Sequence, residues 1–340
     1  MSMFNIFAAK HLPLAEAISA AFHVLAFFPV VVVLLVFAPK QSASAVVTQF
    51  TDNGAGWNST ALAVMAGQVS AMFVVLGSDS VAHMSEEIKD ASVIVPRSMV
   101  WSFLLNIPFA FGILLTYLFC IGDVHDAISS ATGFPFIYVF YNATGTTVAA
   151  TVLTLVILIL VTMTSTSSLA STSGQTFAFA RDLGLRSQDG WHMFIPHPSF
   201  HVPVNSIIFT CLYTMVLSLI NIGSSVAFNA ISSLSTTALM ATYMISIGCV
   251  TVKRIRGEKF PHARWSLGRF GMTINIIALV YACWAFFWSF WPNRYDVTAM
   301  NFNWACVLFI GFLRFAGIIY LVHARKVYER PVVEVAETTS

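Results

Sequence analysis

Five acidic or histidine side chains crowd one short stretch, GSDSVAHMSEEIKD, residues 77–90. Counted from Asp79, the residues His83, Glu86, Glu87 and Asp90 fall at i+4, i+7, i+8 and i+11, the spacing of one face of an α-helix. Val81, Met84 and Ile88 take the opposite face. An aspartate one helical turn before a histidine can hold and pass a proton, and its carboxylate can hold a cationic group. The spacing does not suit a resident metal, because His83 followed by Glu86 and Glu87 is not the H-E-x-x-H zinc pattern. No nucleophile is paired with a base, so the chain does not read as an enzyme, and no cofactor is implied.

What must position these residues is set by composition. The 340-residue chain is 57% hydrophobic and 9% charged, against about 25% charged in an ordinary soluble domain. Too few charges are present to cover its surface in water. Apolar runs of about twenty residues recur along it, the length an α-helix needs to cross roughly 30 Å of hydrocarbon. The short alternating segments of an outer-membrane barrel are missing. The fold class is therefore an all-α polytopic membrane protein with about eight transmembrane helices, the second one interrupted. The expected spans are 12–38, 60–89, 97–121, 147–181, 203–221, 225–251, 268–291 and 302–324, in a single transmembrane domain over 1–328. A disordered cytosolic tail is expected over 329–340. The fourth span, at about 35 residues, must tilt or protrude into water. Residues 132–145 read as a short helix or re-entrant piece over the outer face. The N-terminus lacks a cleavable signal pattern, so the first span reads as a retained helix. The five cysteines fall in or beside apolar runs as lone packing residues.

Orientation is set by the Lys and Arg residues. Of the seventeen in the chain, only Lys40 and Arg294 fall on one side, Arg314 lies inside a span, and the other fourteen fall opposite. Both termini are then cytosolic. Two glycosylation sequons, at Asn58 and Asn142, land on the non-cytosolic side.

In this frame the second span enters from outside. With Lys89 and Asp90 at the cytosolic interface, eleven residues at 1.5 Å each, about 16 Å, put Gly77-Ser78-Asp79 near the bilayer midplane. A glycine followed by two natural N-cap residues predicts that one helix ends there and another begins. The freed peptide groups need partners that lipid does not offer, and such breaks line solute sites in carriers. Two readings of Asp79 stand side by side: it helps to hold a polar solute, or it caps the second half-helix and bonds His83. Glu86, Glu87 and Asp90 read as solvated interface charges.

Other polar groups lie at depth. Thr162 to Ser168 are polar around the whole helix circumference, which suits tight helix packing or a cavity lining. FNAISSLSTTALMATY invites the same pair of readings, with Asn229 its most polar member. His23, near mid-depth in the first span, could carry a coupling proton or serve as a packing histidine. Arg314 needs a carbonyl or acidic partner. Phe73, one turn above the break, could gate it, and Trp284, Trp288 and Trp291 read as packing and interface anchors.

The segments GSDSVAHMSEEIKDASVIVPRSM, FYNATG, QTFAFARD and HVPVNSI together resemble the fungal amino-acid/choline permeases, GABA and choline carriers among them, of the amino acid–polyamine–organocation superfamily. The resemblance covers nearly the whole chain. It implies twelve spans built as two inverted five-span repeats plus two more, and uptake of a small nitrogenous solute, often coupled to protons. The interrupted span then corresponds to the family's sixth. Its unwound stretch carries over to Gly77, Ser78 and Asp79, with Phe73 as the gating aromatic and Asn229 a further substrate candidate; His23, Asp79 and His83 are the candidate proton carriers. On this mapping the chain begins at the family's fifth span, giving a partial five-plus-five fold without the first broken helix. Gly174 replaces a usual basic residue, and Arg186 a usual proline. The resemblance implies a proton-coupled permease for an amino acid, GABA or choline at the plasma membrane, working by alternating access. The rival expectation is a non-transporting fragment that associates with a full-length permease.

Overall fold

In the computed structural model every regular element among the described residues is helical. The structure describes residues 1–327 apart from 53, 182–201, 224, 259, 261, 262, 293 and 300, and at 87, 221, 223, 225, 228 and 229 the backbone alone. The α-helices are α1 (Ser2–Phe7), α2 (Leu12–Phe37), α3 (Ala43–Thr48), α4 (Thr60–Phe73), α5 (Ala91–Cys120), α6 (Val124–Ile128), α7 (Pro135–Thr144), α8 (Thr147–Arg181), α9 (Val204–Gly223), α10 (Ser225–Ile255), α11 (Gly271–Trp288), α12 (Ala305–Ile319) and α13 (Arg325–Val327). A 3-10 helix, Ser80–Glu87, lies between α4 and α5. Among the described residues six segments are long and apolar enough to cross a membrane: Ala9–Phe37, Ala91–Cys120, Thr147–Arg181, Ala230–Ile255, Gly268–Trp288 and Ala305–Ala324. Thr60–Phe73 and Val204–Ile220 are shorter apolar helices. The tail from 329 lies outside the described residues.

Local chemistry sets several ends. Pro135 opens α7 at a position where its missing N–H costs nothing, and Gly145, at φ 65°, closes it in the left-handed conformation. Residues 132–145 thus resolve into a turn and a short helix. Lys40 seals the C-terminal end of α2, its Nζ donating to the carbonyls of Leu34 at 2.9 Å and Ala38 at 2.6 Å. Prolines stand inside α2 (Pro29) and α5 (Pro96, Pro108), as apolar spans tolerate when neighbouring helices cover the freed carbonyls.

Two apolar clusters hold the bundle. One joins Val30 and Leu34 of α2, Cys120 of α5, Val139 and Phe140 of α7, and Ala150 and Leu153 of α8. The other joins Met72 of α4, Met240 of α10 and Ala285 of α11. α10 packs against α9, α11 and α12, and α8 joins that group to α2 through α9. Between α10 and α11 a buried hydroxyl pair, Thr237 Oγ1 to Ser289 Oγ at 3.0 Å, adds polar adhesion. Large apolar side chains such as Leu104, Phe111, Ile277 and Leu313 stay exposed on the outside, the distribution of a surface that meets lipid rather than water.

Arg314 corrects an expectation. It is exposed on α12 with no partner among the described residues, because α12 packs only along one side and turns this position outward. Trp288 and Trp291 stack with centroids 4.7 Å apart, and Trp57 reaches Trp291 at 6.1 Å.

Leu34 is wholly buried at the centre of the first cluster. Leu34→Ala is expected to destabilise the fold by about 2–5 kcal/mol, read as a lowered unfolding midpoint in detergent, while the equivalent change at exposed Leu313 leaves it nearly unchanged.

Candidate functional site

The second apolar segment does break, and the break is larger than the glycine alone suggests. α4 ends at Phe73, four residues before Gly77. Residues 74–79 form consecutive turns, and Gly77 takes φ 94°, a conformation that L side chains rarely adopt. Fourteen residues of α4 span about 21 Å, and the eight of the 3-10 helix about 16 Å. The turns therefore sit near the middle of the crossing.

Beyond the break the chain does not form the expected α-helix. Ser80–Glu87 is 3-10 helix, and Met84 departs from helical geometry at φ −110°, ψ 17°. At three residues per turn, residues three apart align, so His83 and Glu86 share a face while Asp79 and Asp90 lie outside the helix. The single five-residue polar face is therefore corrected. Asp79 also makes no side-chain capping hydrogen bond to the 3-10 helix. Of the reading in which it caps the half-helix and bonds His83, the cap is missing, while His83 Nε2 lies 3.5 Å from Asp79 Oδ2.

The surroundings of Asp79 explain why a carboxylate is tolerated here. Its side chain is 16% exposed, and the Tyr243 side chain of α10 lies near it. Tyr243 itself packs with Leu76 and Phe286 on the cluster of Met72, Met240 and Ala285. From α5, Asn106 Nδ2 donates to the Val74 carbonyl at 3.2 Å, taking up one acceptor that the break releases. Val74 and Val75 still donate to Ala71 and Met72 as the helix tightens. The N–H groups of Leu76, Gly77, Ser78 and Asp79 make no such bond among the described residues. Bare donors and a carboxylate thus lie within one turn of each other.

The far end of the half-helix is held by charge. Arg181, closing α8, forks onto Glu86 with bonds of 3.0 and 2.9 Å. Arg264, in the connection from α10 to α11, forks onto Asp90, one bond at 3.4 Å. Asp90 takes the left-handed φ of 56°. The paired side chains are 45–66% exposed, so each pair contributes no more than about 1 kcal/mol. Glu86 and Asp90 are thus solvent-exposed charges that also cross-link the half-helix to its neighbours.

The other candidates are dispersed. Phe73 is 58% exposed at the end of α4. The side chain of Asn229 lies outside the described residues. His23 faces a separate cavity of about 1130 Å³ between α2, α8 and α9, lined also by Thr164, Ser165, Ser168 and Thr172 of the hydroxyl-rich stretch. None of the break residues lines that cavity. Sequence reasoning missed Tyr243 and Asn106. Asn106 was detectable as a lone amide in the apolar run FLLNIPF, whereas Tyr243 carries no signal separating it from the other aromatics.

The amino acid permease family matches residues 2–312. The chain belongs to that family. It is 31% identical over 278 residues, 81% of its length, to a Macrophomina phaseolina protein named for amino acid/polyamine transport, and covers 60% of that protein. It is 28% identical to the amino-acid permease BAT1 of Arabidopsis thaliana, over 89% of this chain and 60% of that one. The choline transporter of Saccharomyces cerevisiae matches at 23%, over 96% of this chain and 57% of the transporter. The chain thus spans about 60% of the length of these curated relatives. No solved structure gives a significant match. The family is one of transporters rather than enzymes, in keeping with a multi-pass membrane protein.

The backbone at Gly77 allows a clean test of the break. A Cβ there would meet no atom within 4 Å, so Gly77→Ala probes the φ of 94° alone and is expected to cost about 1–3 kcal/mol. Gly174→Ala, in an equally open but helical position of α8, should be neutral or stabilising by up to about 1 kcal/mol. Denaturant titration of the two variants in detergent checks the contrast.

Proposed function

We propose that this chain is the part of a secondary active carrier that supplies one half of a site for an amino acid or choline-like amine. One observation carries the reading: at mid-depth, four backbone N–H groups without a backbone partner among the described residues lie next to a mostly buried carboxylate. The N–H groups suit an anionic end such as a substrate carboxylate, and Asp79 suits an ammonium. Gly77 and Ser78 provide the backbone and Phe73 the flanking aromatic, and Asn229 is kept as a further substrate candidate. Tyr243 of α10 lies near Asp79. A zwitterion such as GABA or an α-amino acid engages both ends, and choline, lacking a carboxylate, engages only the acidic one.

Proton coupling fits the same site. Asp79 and His83 lie one turn apart, and His23 stands in its own cavity as a third carrier candidate. Alternating access would open the route past the half-helix toward Glu86 and Asp90. The basic bias of the connections supports cytosolic termini, and the likeness to permeases supports the plasma membrane as the working site. Because the chain spans about 60% of its relatives, transport is proposed for the protein with the corresponding upstream half, encoded in the same polypeptide or supplied by another. That same length supports a second reading, a fragment that binds a full-length permease without transporting. Co-purification with such a permease, together with absent uptake, distinguishes it.

Uptake of radiolabelled GABA, choline and several amino acids in permease-deficient cells tests the proposal, with the chain alone and with an upstream half restored. The restored protein should accumulate at least one of them, and Asp79→Asn should reduce that uptake roughly tenfold or more and flatten its pH dependence. Uptake of none, or an Asp79→Asn variant that transports normally, overturns the site.

A further inference from the structure

Two candidate crossings that pack together, Ala230–Ile255 and Gly268–Trp288, are joined by the connection from α10 to α11. Between residues 251 and 270 the sequence places six basic residues and one acid, Glu258. An excess of Lys and Arg on one side of the membrane is what topology requires. Topology does not require the cations to gather, and here three of them meet where the two helix ends touch. Lys253 Nζ lies 5.2 Å from the centre of the Phe260 ring, and the Arg254 guanidinium 5.4 Å from the same centre. Arg254 also reaches across to α11, where a Cβ added to Gly271 would collide with its guanidinium. Two residues before that glycine, the Arg269 guanidinium stands 4.8 Å from the ring centre of Phe270.

What these cations lack is an acid. Arg256 lies 3.9 Å from Glu258, and Arg264 is forked onto Asp90. Lys253, Arg254 and Arg269 form no ion pair among the described residues. Arg254 is only partly exposed, and its buried Nε has no hydrogen-bond partner among the described residues. That nitrogen is itself closed to a ligand. Its orphan state shows that the guanidinium leaves water without an acceptor in exchange at that atom. The Phe260 ring offsets part of that cost and leaves the net charge in place. The first turn of α11 carries partial positive charge, so it is no counter-charge either.

Depth decides which anion fits. Lys253 and Arg254 stand in the last turn of one crossing and Arg269 in the first turn of the next, level with lipid headgroups. Exposed Phe260 and Phe270 set apolar rings beside the charges, a combination suited to the membrane interface. Several cations on two helix ends match a headgroup that carries more than one negative charge. We propose that the junction of α10 and α11 docks the headgroup of a phosphoinositide-class lipid, its phosphomonoester held by Lys253, Arg254 and Arg269. The site is separate from the break at Gly77–Asp79 and does not depend on the transport reading.

Native mass spectrometry of the purified chain tests this, after incubation in detergent with four lipids of matched acyl chains at equal concentration. These are phosphatidylinositol 4-phosphate, phosphatidylinositol, phosphatidylserine and phosphatidylcholine. The first should be retained at least fivefold over phosphatidylinositol, which has the same ring without the monoester, and over the other two. Arg254→Gln should cut that retention at least fivefold. So should Lys253→Gln combined with Arg269→Gln, which leaves the contact of Arg254 with α11 intact and decides the matter if Arg254→Gln lowers the unfolding midpoint. Arg325→Gln combined with Lys326→Gln, at the end of another crossing, should leave retention unchanged. Equal retention of phosphatidylinositol or phosphatidylserine overturns the proposal. So does an equal loss in the Arg325 and Lys326 variant, which would mark diffuse attraction between basic ends and anionic lipid. Displacement of the lipid by equimolar soluble inositol bisphosphate also overturns it, because the site would then take a free phosphate rather than a lipid.

Discussion

A peptide group inside hydrocarbon has no solvent to bond, and an unpaired N–H or C=O there costs several kcal/mol. The break in the second apolar segment answers to that constraint. Where the second apolar segment comes apart, protein closes round it on several sides: α5 sends Asn106 to the Val74 carbonyl, α10 brings Met240 and Tyr243, and α11 brings Ala285 and Phe286. The 3-10 form of Ser80–Glu87 belongs to the same logic, since a tighter helix keeps its own bonds within a shorter register. The donors left at Leu76–Asp79 are the exception, and the Asp79 carboxylate is their neighbour.

The same constraint accounts for the hydroxyls. A threonine or serine on a lipid-crossing helix satisfies itself through its own i−4 carbonyl, and α8 does this repeatedly, at Thr162, Ser165, Thr166 and Thr172. Such residues add little adhesion between helices, because their donor is already occupied. The pair Thr237–Ser289 is buried and meets across the helix boundary, although each oxygen also lies within bonding distance of a carbonyl of its own helix, Thr237 of Ser233 and Ser289 of Phe286. Hydroxyl content in a span therefore says less than what each hydroxyl faces. On α8 and α9 hydroxyls line a cavity, and on α10 and α11 two of them meet in a seam.

Much of the architecture was legible because it is written in long apolar runs. The helix Thr147–Arg181 coincides with the span expected over 147–181, and the interruption near Gly77 could be inferred from a glycine and two capping residue types in mid-membrane. The helix type after the break was not legible. A pattern at i, i+4, i+7, i+8 and i+11 reports which residues are polar, and it assumes 3.6 residues per turn without testing it. Ser80–Glu87 does not meet that assumption, because Asp90 adopts a left-handed backbone and Met84 a kink, neither of which composition announces. Tyr243 was equally invisible: its relation to Asp79 spans more than 160 positions and depends on how α10 crosses the break. The partner expected for Arg314 failed for a related reason, since charge at depth argues for company without saying which molecule provides it.

Rigidity is unevenly distributed around the break, and the difference is physical. α5, α8 and α10 are helices of 30, 35 and 31 residues, carried by long ladders, interrupted in α5 only at its prolines, and by apolar contacts. The half-helix between Asp79 and Asp90 has eight residues, a kink, and two exposed ion pairs that are worth little each. The end at Glu86 and Asp90 is fastened to α8 by Arg181 and to the α10–α11 connection by Arg264, so any motion that separates those two elements must release at least one pair. The upper half, α4, has no such fastening among the described residues and rests on α11 and on the cluster around Met72. A segment anchored by packing at one end and by screened charge at the other will yield at the charged end first. Opening toward the side that carries Glu86 and Asp90 therefore costs less than opening past Phe73, which would pull Met72 and Leu76 away from α10.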